Sequence, residues 1–375
     1  MQVGINGLFW GRPATGSGQY VRELVAAMRY MEDVRLTLVV DNPPRTPPPV
    51  DIEIRRAGPG ATGKLGKLWF EQVAFPTACR RVGAEVAHVP YFAAPLTGFS
   101  PVVVTIHDLI PLLLPEYRGG WHVRAYMALV ARAAKRADLI IADSDASAQD
   151  VEQVLGISGD RVRVVHLAAG TMYRPRCAEE TLEARSRLGL PEQYLLYVGG
   201  FDRRKSVPEL LKAYRQALPR LRGVPLVIGG QLPRIGTAFA PDPRRVAREF
   251  GIADKVQLLG HVSASDMPAL YAGALALVYP SRYEGFGLPP LEALSCGTPV
   301  VATRASSLPE VVGEGGILVP PGDEEALSDA MCSLVEDEAL RARLSKRGLE
   351  QAARFSWERT ARETVAVYRE ALASA

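Results

Sequence analysis

Glu284 and Glu292 stand eight positions apart in Tyr283-Glu-Gly-Phe-Gly-Leu-Pro-Pro-Leu-Glu292, the first ahead of a Gly-x-Gly turn and the second inside an apolar run. A carboxylate at a loop tip can accept hydrogen bonds from sugar hydroxyls. Gly285 and Gly287, flanking Phe286, free the neighbouring backbone N–H groups to approach an anion. The residues before this segment, Ala274 to Pro280, read as a buried strand, and Leu288 to Ser295 read as a helix. Strand, glycine turn and helix N-terminus together make a phosphate site. About two helical turns would separate the glutamates, close enough for both to hold one elongated polyhydroxylated ligand.

A second group follows another apolar run. Val198-Gly-Gly-Phe-Asp-Arg-Arg-Lys205 places three cations after a strand and at the opening of a helix. A basic cluster is most often a solvated charge run, but this position suits Arg204 and Lys205 to a diphosphate, with Arg203 an exposed neighbour. Gly16-Ser-Gly18 at the mouth of the helical pattern Tyr20–Tyr30 allows backbone amides near a phosphate or sugar, and equally reads as a plain turn. Its spacing is not GxGxxG, and Asp41 lies only near the register of the expected acidic residue, which argues against a nicotinamide site. His107, closing the run from Val102 to Ile106, could bond a substrate hydroxyl or stabilise a charged intermediate, or merely cap the strand. His166 follows a strand too and is a second candidate. Ser263 to Asp266 reads as a helix cap, and Asp143 after Ala142 reads as nearer to structure than to chemistry.

Positioning these residues requires many short strands. Candidates in the first half are Val3–Asn6, Arg35–Val40, Val86–Val89, Val102–Ile106, Leu139–Ala142 and Val162–Val165. In the second half they are Tyr194–Gly199, Pro225–Ile228, Val256–Leu259, Ala274–Val278, Pro299–Ala302 and Ile317–Val319. Continuous apolar strands separated by helical patterns predict parallel sheets covered on both faces, and two such sets predict two doubly wound domains. The boundaries read as 1–177, 178–354 and a final amphipathic helix over 355–375 that packs back on the first domain. The proline-rich stretch from Asn42 and the glycine-rich one from Gly58 read as mobile loops.

Composition bounds the class. The 375 residues are enough for two cores, and a formal charge of +3 is too small to imply nucleic acid. Four cysteines lie far apart with no zinc-like spacing, as in a reduced cytoplasmic protein. No run approaches the ~18 apolar residues of a membrane span, and the first residues read as a strand, not a signal peptide. Two segments, the basic helix over 121–136 and the loop over 58–70, suit either sheet cover or contact with anionic lipid from the surface.

Taken together, these motifs resemble the family-4 retaining glycosyltransferases over essentially the whole length. The resemblance rests on Gly16-Ser-Gly18, Thr105-Ile-His-Asp-Leu109, Ala142-Asp-Ser144, Val198 to Lys205, Pro280 to Glu292 and Gly297-Thr-Pro-Val-Val301. It implies an α/β fold of two facing Rossmann-like domains, the GT-B architecture, with the ligand in the cleft at the carboxyl ends of both sheets. It also implies transfer of a sugar from a nucleotide diphosphate donor with retention of configuration, the departing phosphate assisting the acceptor's deprotonation. Glu284 would face the donor sugar, with the backbone of Gly285, Phe286, Gly287 and Leu288 beside sugar and diphosphate. Glu292 would hold the ribose, and Arg204 and Lys205 the leaving diphosphate. His107 would lie over the sugar, and Gly16 and Gly18 would border phosphate and acceptor. Many members carry an arginine where this chain has Gly200, which throws more of the diphosphate binding on Arg204 and Lys205. No cofactor and no metal are expected, because basic side chains can stabilise the leaving group.

The His-Asp-Leu-Ile-Pro run resembles bacterial mannosyltransferases of surface-polysaccharide assembly. GDP-mannose is therefore the expected donor, with a UDP-sugar as rival, and a glycan or lipid-linked molecule the expected acceptor. A nucleotide-sugar epimerase of the same shape, or a non-catalytic sugar-nucleotide binder, are the alternatives.

Overall fold

The computed structural model describes residues 1–12, 15–42, 52–58 and 63–374. Most of the proline-rich stretch after Asn42, and residues 59–62 of the glycine-rich one, lie outside them. The described chain divides into two compact units, Met1–Leu167 with Ser356–Ala375, and Ala168–Phe355.

The first unit holds seven strands, β1 (Gln2–Asn6), β2 (Arg35–Val40), β3 (Glu53–Arg56), β4 (Val86–Val89), β5 (Val102–Ile106), β6 (Leu139–Ala142) and β7 (Val162–Val164), in the order β3-β2-β1-β4-β5-β6-β7. The second holds six, β8 (Leu195–Val198), β9 (Leu226–Gly229), β10 (Val256–Gly260), β11 (Ala276–Tyr279), β12 (Val300–Thr303) and β13 (Gly316–Val319), in the order β10-β9-β8-β11-β12-β13. Every pairing is parallel. β5, β6, β9, β11 and β12 are buried along their whole length, as strands covered by helices on both faces must be. This is the two-Rossmann α/β class expected from the sequence. Strand ends move by a residue or two from their expected positions.

One strand was not anticipated. β3 is Glu-Ile-Arg-Arg, largely exposed, on the edge of the first sheet. Among the described residues it pairs only with β2, and its charged side chains protect an edge that would otherwise invite pairing with another chain.

In each sheet the strand order reverses direction once, between β1 and β4 and between β8 and β11. A doubly wound sheet opens a crevice at the carboxyl side of this switch point.

The last helix, Trp357–Ala373, belongs to the first unit, where it packs on the helix Gly16–Met28. Tyr368 from this helix hydrogen-bonds His88 Nδ1 at 2.7 Å, and the Thr360 hydroxyl donates to the His166 carbonyl at 2.6 Å. Ion pairs Arg163–Glu370 and Arg369–Asp33 tie down its end.

Candidate functional site

In the second unit the site is built on the two strands that flank the switch point. β8 ends in Gly199-Gly200, and a single 3-10 turn, Arg203–Lys205, leads into the helix Val207–Ala217. β11 ends in Tyr279, and its following loop carries Glu284. The two loops meet through backbone and side chain. Arg282 N–H donates to the Arg204 carbonyl at 2.8 Å, and Arg204 Nη1 donates to the Tyr283 carbonyl at 2.7 Å.

The two cations converge on Glu284, and Arg204 Nε also lies 3.5 Å from Asp202 Oδ1. Arg204 Nη1 is 2.7 Å from Glu284 Oε2, and Lys205 Nζ is 2.6 Å from Glu284 Oε1 and 2.6 Å from the Tyr279 hydroxyl. Tyr279 in turn donates to Glu284 at 3.1 Å, and its ring lies under the ammonium. Lys205 and Glu284 are both buried. Burial alone would raise the Glu284 carboxyl, but the adjoining Lys205 and Arg204 charges overcome it and hold the group at about 2. Burial, aided by the like charge of Arg204, depresses the Lys205 ammonium despite its contact with Glu284. Glu284 thus stays ionised, and two cations share it. Arg203 is exposed, as expected.

Serines hold the loop in place. Glu284 N–H donates to Ser306 Oγ at 2.7 Å, and Ser307 Oγ donates to the carbonyls of Glu284 and Phe286 at 3.0 and 2.6 Å. Ser206 and Ser306, bordering the cluster, have φ of 53° and 45°, left-handed values uncommon for non-glycine residues and frequent at binding sites. Gly287 has φ 108°, and a Cβ there would meet Leu308 Cδ2 at 3.0 Å. It caps the helix Leu288–Ser295. Because Pro289 and Pro290 carry no N–H, donors offered by this helix start come from Leu288 and the residues ahead of it. The Phe286 ring turns inward against Phe355, at a centroid separation of 5.7 Å, so only its backbone is placed for a ligand.

Glu292, on that helix, is buried and accepts from the Tyr271 hydroxyl at 2.9 Å. Burial raises its carboxyl to about 7, with hydrogen bonds from Tyr271 and Tyr173 opposing. The two glutamates therefore differ: Glu284 is a fixed anion, and Glu292 titrates near neutrality. At Gly200 the carbonyl accepts from the Tyr197 hydroxyl at 2.5 Å.

In the first unit His107 follows β5. Its Nδ1 is 2.7 Å from Asp143 Oδ2, and its Nε2 is 3.2 Å from the Pro90 carbonyl. A carbonyl and a carboxylate only accept, so this geometry suits a doubly protonated ring. Burial opposes the charge, yet Asp143 prevails and the imidazole is raised. The Tyr20 ring meets it edge-to-face at 4.9 Å. Gly18 N–H donates to the Thr15 side chain at 3.2 Å, capping the helix, and a Cβ on Gly18 would fall 2.1 Å from the Arg12 carbonyl. Gly16 is exposed, with open space around it.

Sequence reading passed over Tyr279, Tyr271, Tyr197 and the serines 206, 306 and 307, which carry no motif of their own. Tyr279 could have been flagged as a polar tip closing an apolar strand. Sequence reading also expected no Asp-x-Asp sequence, and Asp143-Ser144-Asp145 is one. Asp143 is committed to His107, Ser144 Oγ accepts from Ser147 N–H as a helix cap, and Asp145 is exposed. Ser263–Asp266 leads into the helix Met267–Ala272, but its N-cap Asp266 makes no side-chain cap bond and instead accepts from the Ser263 hydroxyl at 2.8 Å.

Known proteins share these features. A model described as Glycosyltransferase Family 4 matches residues 14–169, and one described as Glycosyl transferases group 1 matches residues 179–351. The O-antigen chain mannosyltransferase B of Escherichia coli is 34% identical over 374 residues, covering 95% of this chain and 96% of that protein. A D-inositol 3-phosphate glycosyltransferase of Nocardioides is 36% identical over 253 residues, 63% of this chain and 54% of that one. Among solved structures, a sucrose-phosphate synthase from Thermosynechococcus elongatus superposes with a TM-score of 0.78 at 23% identity over the full length of both chains. Anabaena HepE in complex with UDP and glucose does so with 0.75 at 19%, covering 98% and 99%. These last two speak to fold alone. By its two family matches and its full-length mannosyltransferase relative, the chain belongs to the family-4, group 1 glycosyltransferases.

Proposed function

We propose that this glycosyltransferase moves mannose from GDP-mannose, with retention of configuration and without a metal, to a glycan or lipid-linked acceptor. The observation that carries the reading is the buried cluster of Arg204, Lys205 and Glu284 at the switch point of the second sheet. Arg204 is held by Glu284 and Asp202 and Lys205 by Glu284, so both cations are preorganised and can re-pair with a diphosphate leaving group. Glu284 offers a carboxylate that stays ionised for sugar hydroxyls, and the turn through Gly287 offers amides. Glu292, beside Tyr271, is assigned to the ribose. His107, held by Asp143, is a charge-stabilising group of the first unit. The mannose assignment is supported by the full-length likeness to an enzyme named for mannosyl transfer.

A membrane-peripheral, cytoplasmic setting is part of the same proposal. No helix among the described residues is long and apolar enough to cross a membrane. The helix Trp121–Ala134 buries only Val130, Ala133 and Ala134 and leaves Trp121 81% exposed, a face suited to anionic lipid.

Incubation with GDP-mannose and a mannoside acceptor should release GDP and yield an α-linked product, read by proton NMR of the anomeric signal. Lys205→Ala and Glu284→Gln should each lower turnover by about 100-fold or more, the scale of removing one preorganised charge from a transition state. Release of UDP from UDP-glucose in preference would move the donor assignment. Full turnover in both variants would sink the site.

A further inference from the structure

Two buried tyrosines of the first unit stand outside every motif: Tyr20 on the helix Gly16–Met28 and Tyr368 on the last helix, Trp357–Ala373. Between them lie His88 on β4 and Thr105 on β5, also buried. The Tyr368 hydroxyl is 2.7 Å from His88 Nδ1, His88 Nε2 is 2.8 Å from Thr105 Oγ1, and Thr105 Oγ1 is 3.1 Å from the Tyr20 hydroxyl. Tyr20 also hydrogen-bonds the Thr364 side chain, which brings the chain of bonds back to the last helix.

Each of these bonds taken alone could run either way, yet together they admit one order of protons. Thr364 spends its single hydroxyl proton on the Thr360 carbonyl at 2.7 Å, so towards Tyr20 it only accepts. Burial, with the Asp143 charge adding, raises the Tyr20 hydroxyl, which keeps its proton. Tyr20 therefore donates to Thr364 and accepts from Thr105. Thr105 has then given its proton away and accepts from His88, which puts the imidazole hydrogen on Nε2. Burial, aided by the His107 charge, pushes His88 down to about 3, so the ring is neutral and Nδ1 is a lone pair. Tyr368 donates to it.

What this chain holds is an aromatic wall. The Tyr20 ring meets the His107 imidazole edge-to-face, at 4.9 Å and 81°, and Trp357 of the last helix lies 6.1 Å from Tyr20. His107 is anchored at its two nitrogens by Asp143 and the Pro90 carbonyl. A ring packed at right angles denies the imidazole the space to turn away from those partners. The ionisable groups around His107 are Asp143 after β6, Asp108 next in the chain, neutral His88 on β4 and neutral Tyr20 on the first helix.

We propose that Tyr20 is a positioning residue for His107, held in place by a one-way chain of hydrogen bonds that begins and ends on the last helix. The inference rests on the reading of His107 as the charge-stabilising group of this unit, and adds the residues that keep its ring on Asp143. Thr105 and His88 transmit the constraint, and Tyr368 sets its direction. Without that donor, His88 can carry its hydrogen on Nδ1 and Thr105 can turn its hydroxyl to Nε2. Tyr20 then faces two acceptors with one proton, and its hold is loosened.

The test uses the full chain, unmodified and as Tyr20→Leu, Tyr20→Phe, Tyr368→Phe and the double Phe variant. Ring NMR of histidine-labelled protein should find the His88 hydrogen on Nε2. In Tyr20→Leu the raised His107 midpoint should fall by about 1 pH unit, towards the ordinary value near 6.5. The charged imidazole is the useful form, so turnover should be lost at correspondingly lower pH as the pH rises. kcat should drop about tenfold, with KM for GDP-mannose held within about twofold, because the donor cluster belongs to the second unit. Tyr20→Phe and Tyr368→Phe should move the midpoint the same way by less, and they carry the test if Tyr20→Leu does not fold. The double variant should go no further than Tyr20→Phe alone, because both changes cut one chain. A merely structural role predicts additive losses of Tm with the His107 midpoint unmoved, and that result would overturn the proposal. So would a His88 hydrogen on Nδ1 in the unmodified chain. A shifted midpoint with full turnover would support the positioning and count instead against the assignment of His107 to turnover.

Discussion

Arg204 and Lys205 share the Glu284 carboxylate while Arg204 also pairs with Asp202 at 3.5 Å, and that pairing decides what the cluster can do. With two anions for two cations the cluster is internally balanced, and an arriving diphosphate must re-pair the cations in competition with Glu284 and Asp202. Glu292 contrasts with it. Its folded value of about 7 lies above the ordinary glutamate value, because burial outweighs the hydrogen bond from Tyr271. If the ribose is held by the ionised form, affinity for GDP should strengthen by about tenfold between pH 6 and pH 8, since the ionised fraction grows by that factor across a titration centred near 7. In Glu292→Gln that component should vanish, leaving only the nucleotide's own phosphate titration. Identical pH profiles for the two proteins would remove Glu292 from the binding site. The motif residues Arg204, Lys205 and Glu284 were legible in the sequence because charge after a strand and glycine is an unusual arrangement. Tyr279 and the three serines were not. Their roles come from a loop after β11 folding against a loop after β8, and no local spacing encodes that meeting.

Among the elements, the turn from Glu284 into the helix Leu288–Ser295 is the most constrained. Gly287 adopts a backbone angle closed to other residues, and Leu308 occupies the space a side chain would need. Gly287→Ala should therefore destabilise the protein by about 1–3 kcal/mol, read by urea unfolding. It should also weaken GDP binding, since the amides ahead of the helix would be displaced. Retention of both properties would mean that the turn can relax, and would break the link between its conformation and anion binding. The helix itself was readable to the residue, because Gly-Leu-Pro-Pro opens it and Cys-Gly closes it. β3 was not readable, because an edge strand needs no apolar run and its four residues are mostly charged. Gly16 and Gly18 looked alike in sequence and differ in fact: one is open to solvent, the other is pressed on the Arg12 carbonyl.

At the scale of the whole molecule, alternation of apolar strands with helices disclosed both sheets, and the strand orders then put the chemistry at the switch points. What periodicity could not disclose is the polar chain buried inside the first unit. The Tyr368 hydroxyl bonds His88, His88 Nε2 is 2.8 Å from Thr105 Oγ1, and Thr105 is 3.1 Å from the Tyr20 hydroxyl. Burial, with a smaller push from the His107 charge, lowers the His88 imidazole to about 3. Unfolded, it would titrate near 6.5. Between those values the unfolded chain holds a proton that the folded one lacks, so stability falls as the pH drops from about 6.5 towards 3, by up to ~5 kcal/mol. The matching measurement is NMR of the His88 ring, whose carbon-bound proton shifts should stay flat down to about pH 4. A titration near 6.5 in the folded protein would show that the chain of hydrogen bonds admits charge.

The return of Trp357–Ala373 to the first unit has a consequence for synthesis. His88 and Tyr368 are 280 positions apart, and everything from Ala168 to Phe355 is translated between the two parts of the first unit. At about 5–20 residues per second, the nascent first sheet waits on the order of ten seconds or more for its covering helix. Through that interval the surface later hidden by Trp357, Val365 and Tyr368 is open, and the second unit, continuous in sequence, can finish first although it is made later. The order of completion on the ribosome is thus the reverse of the order of synthesis.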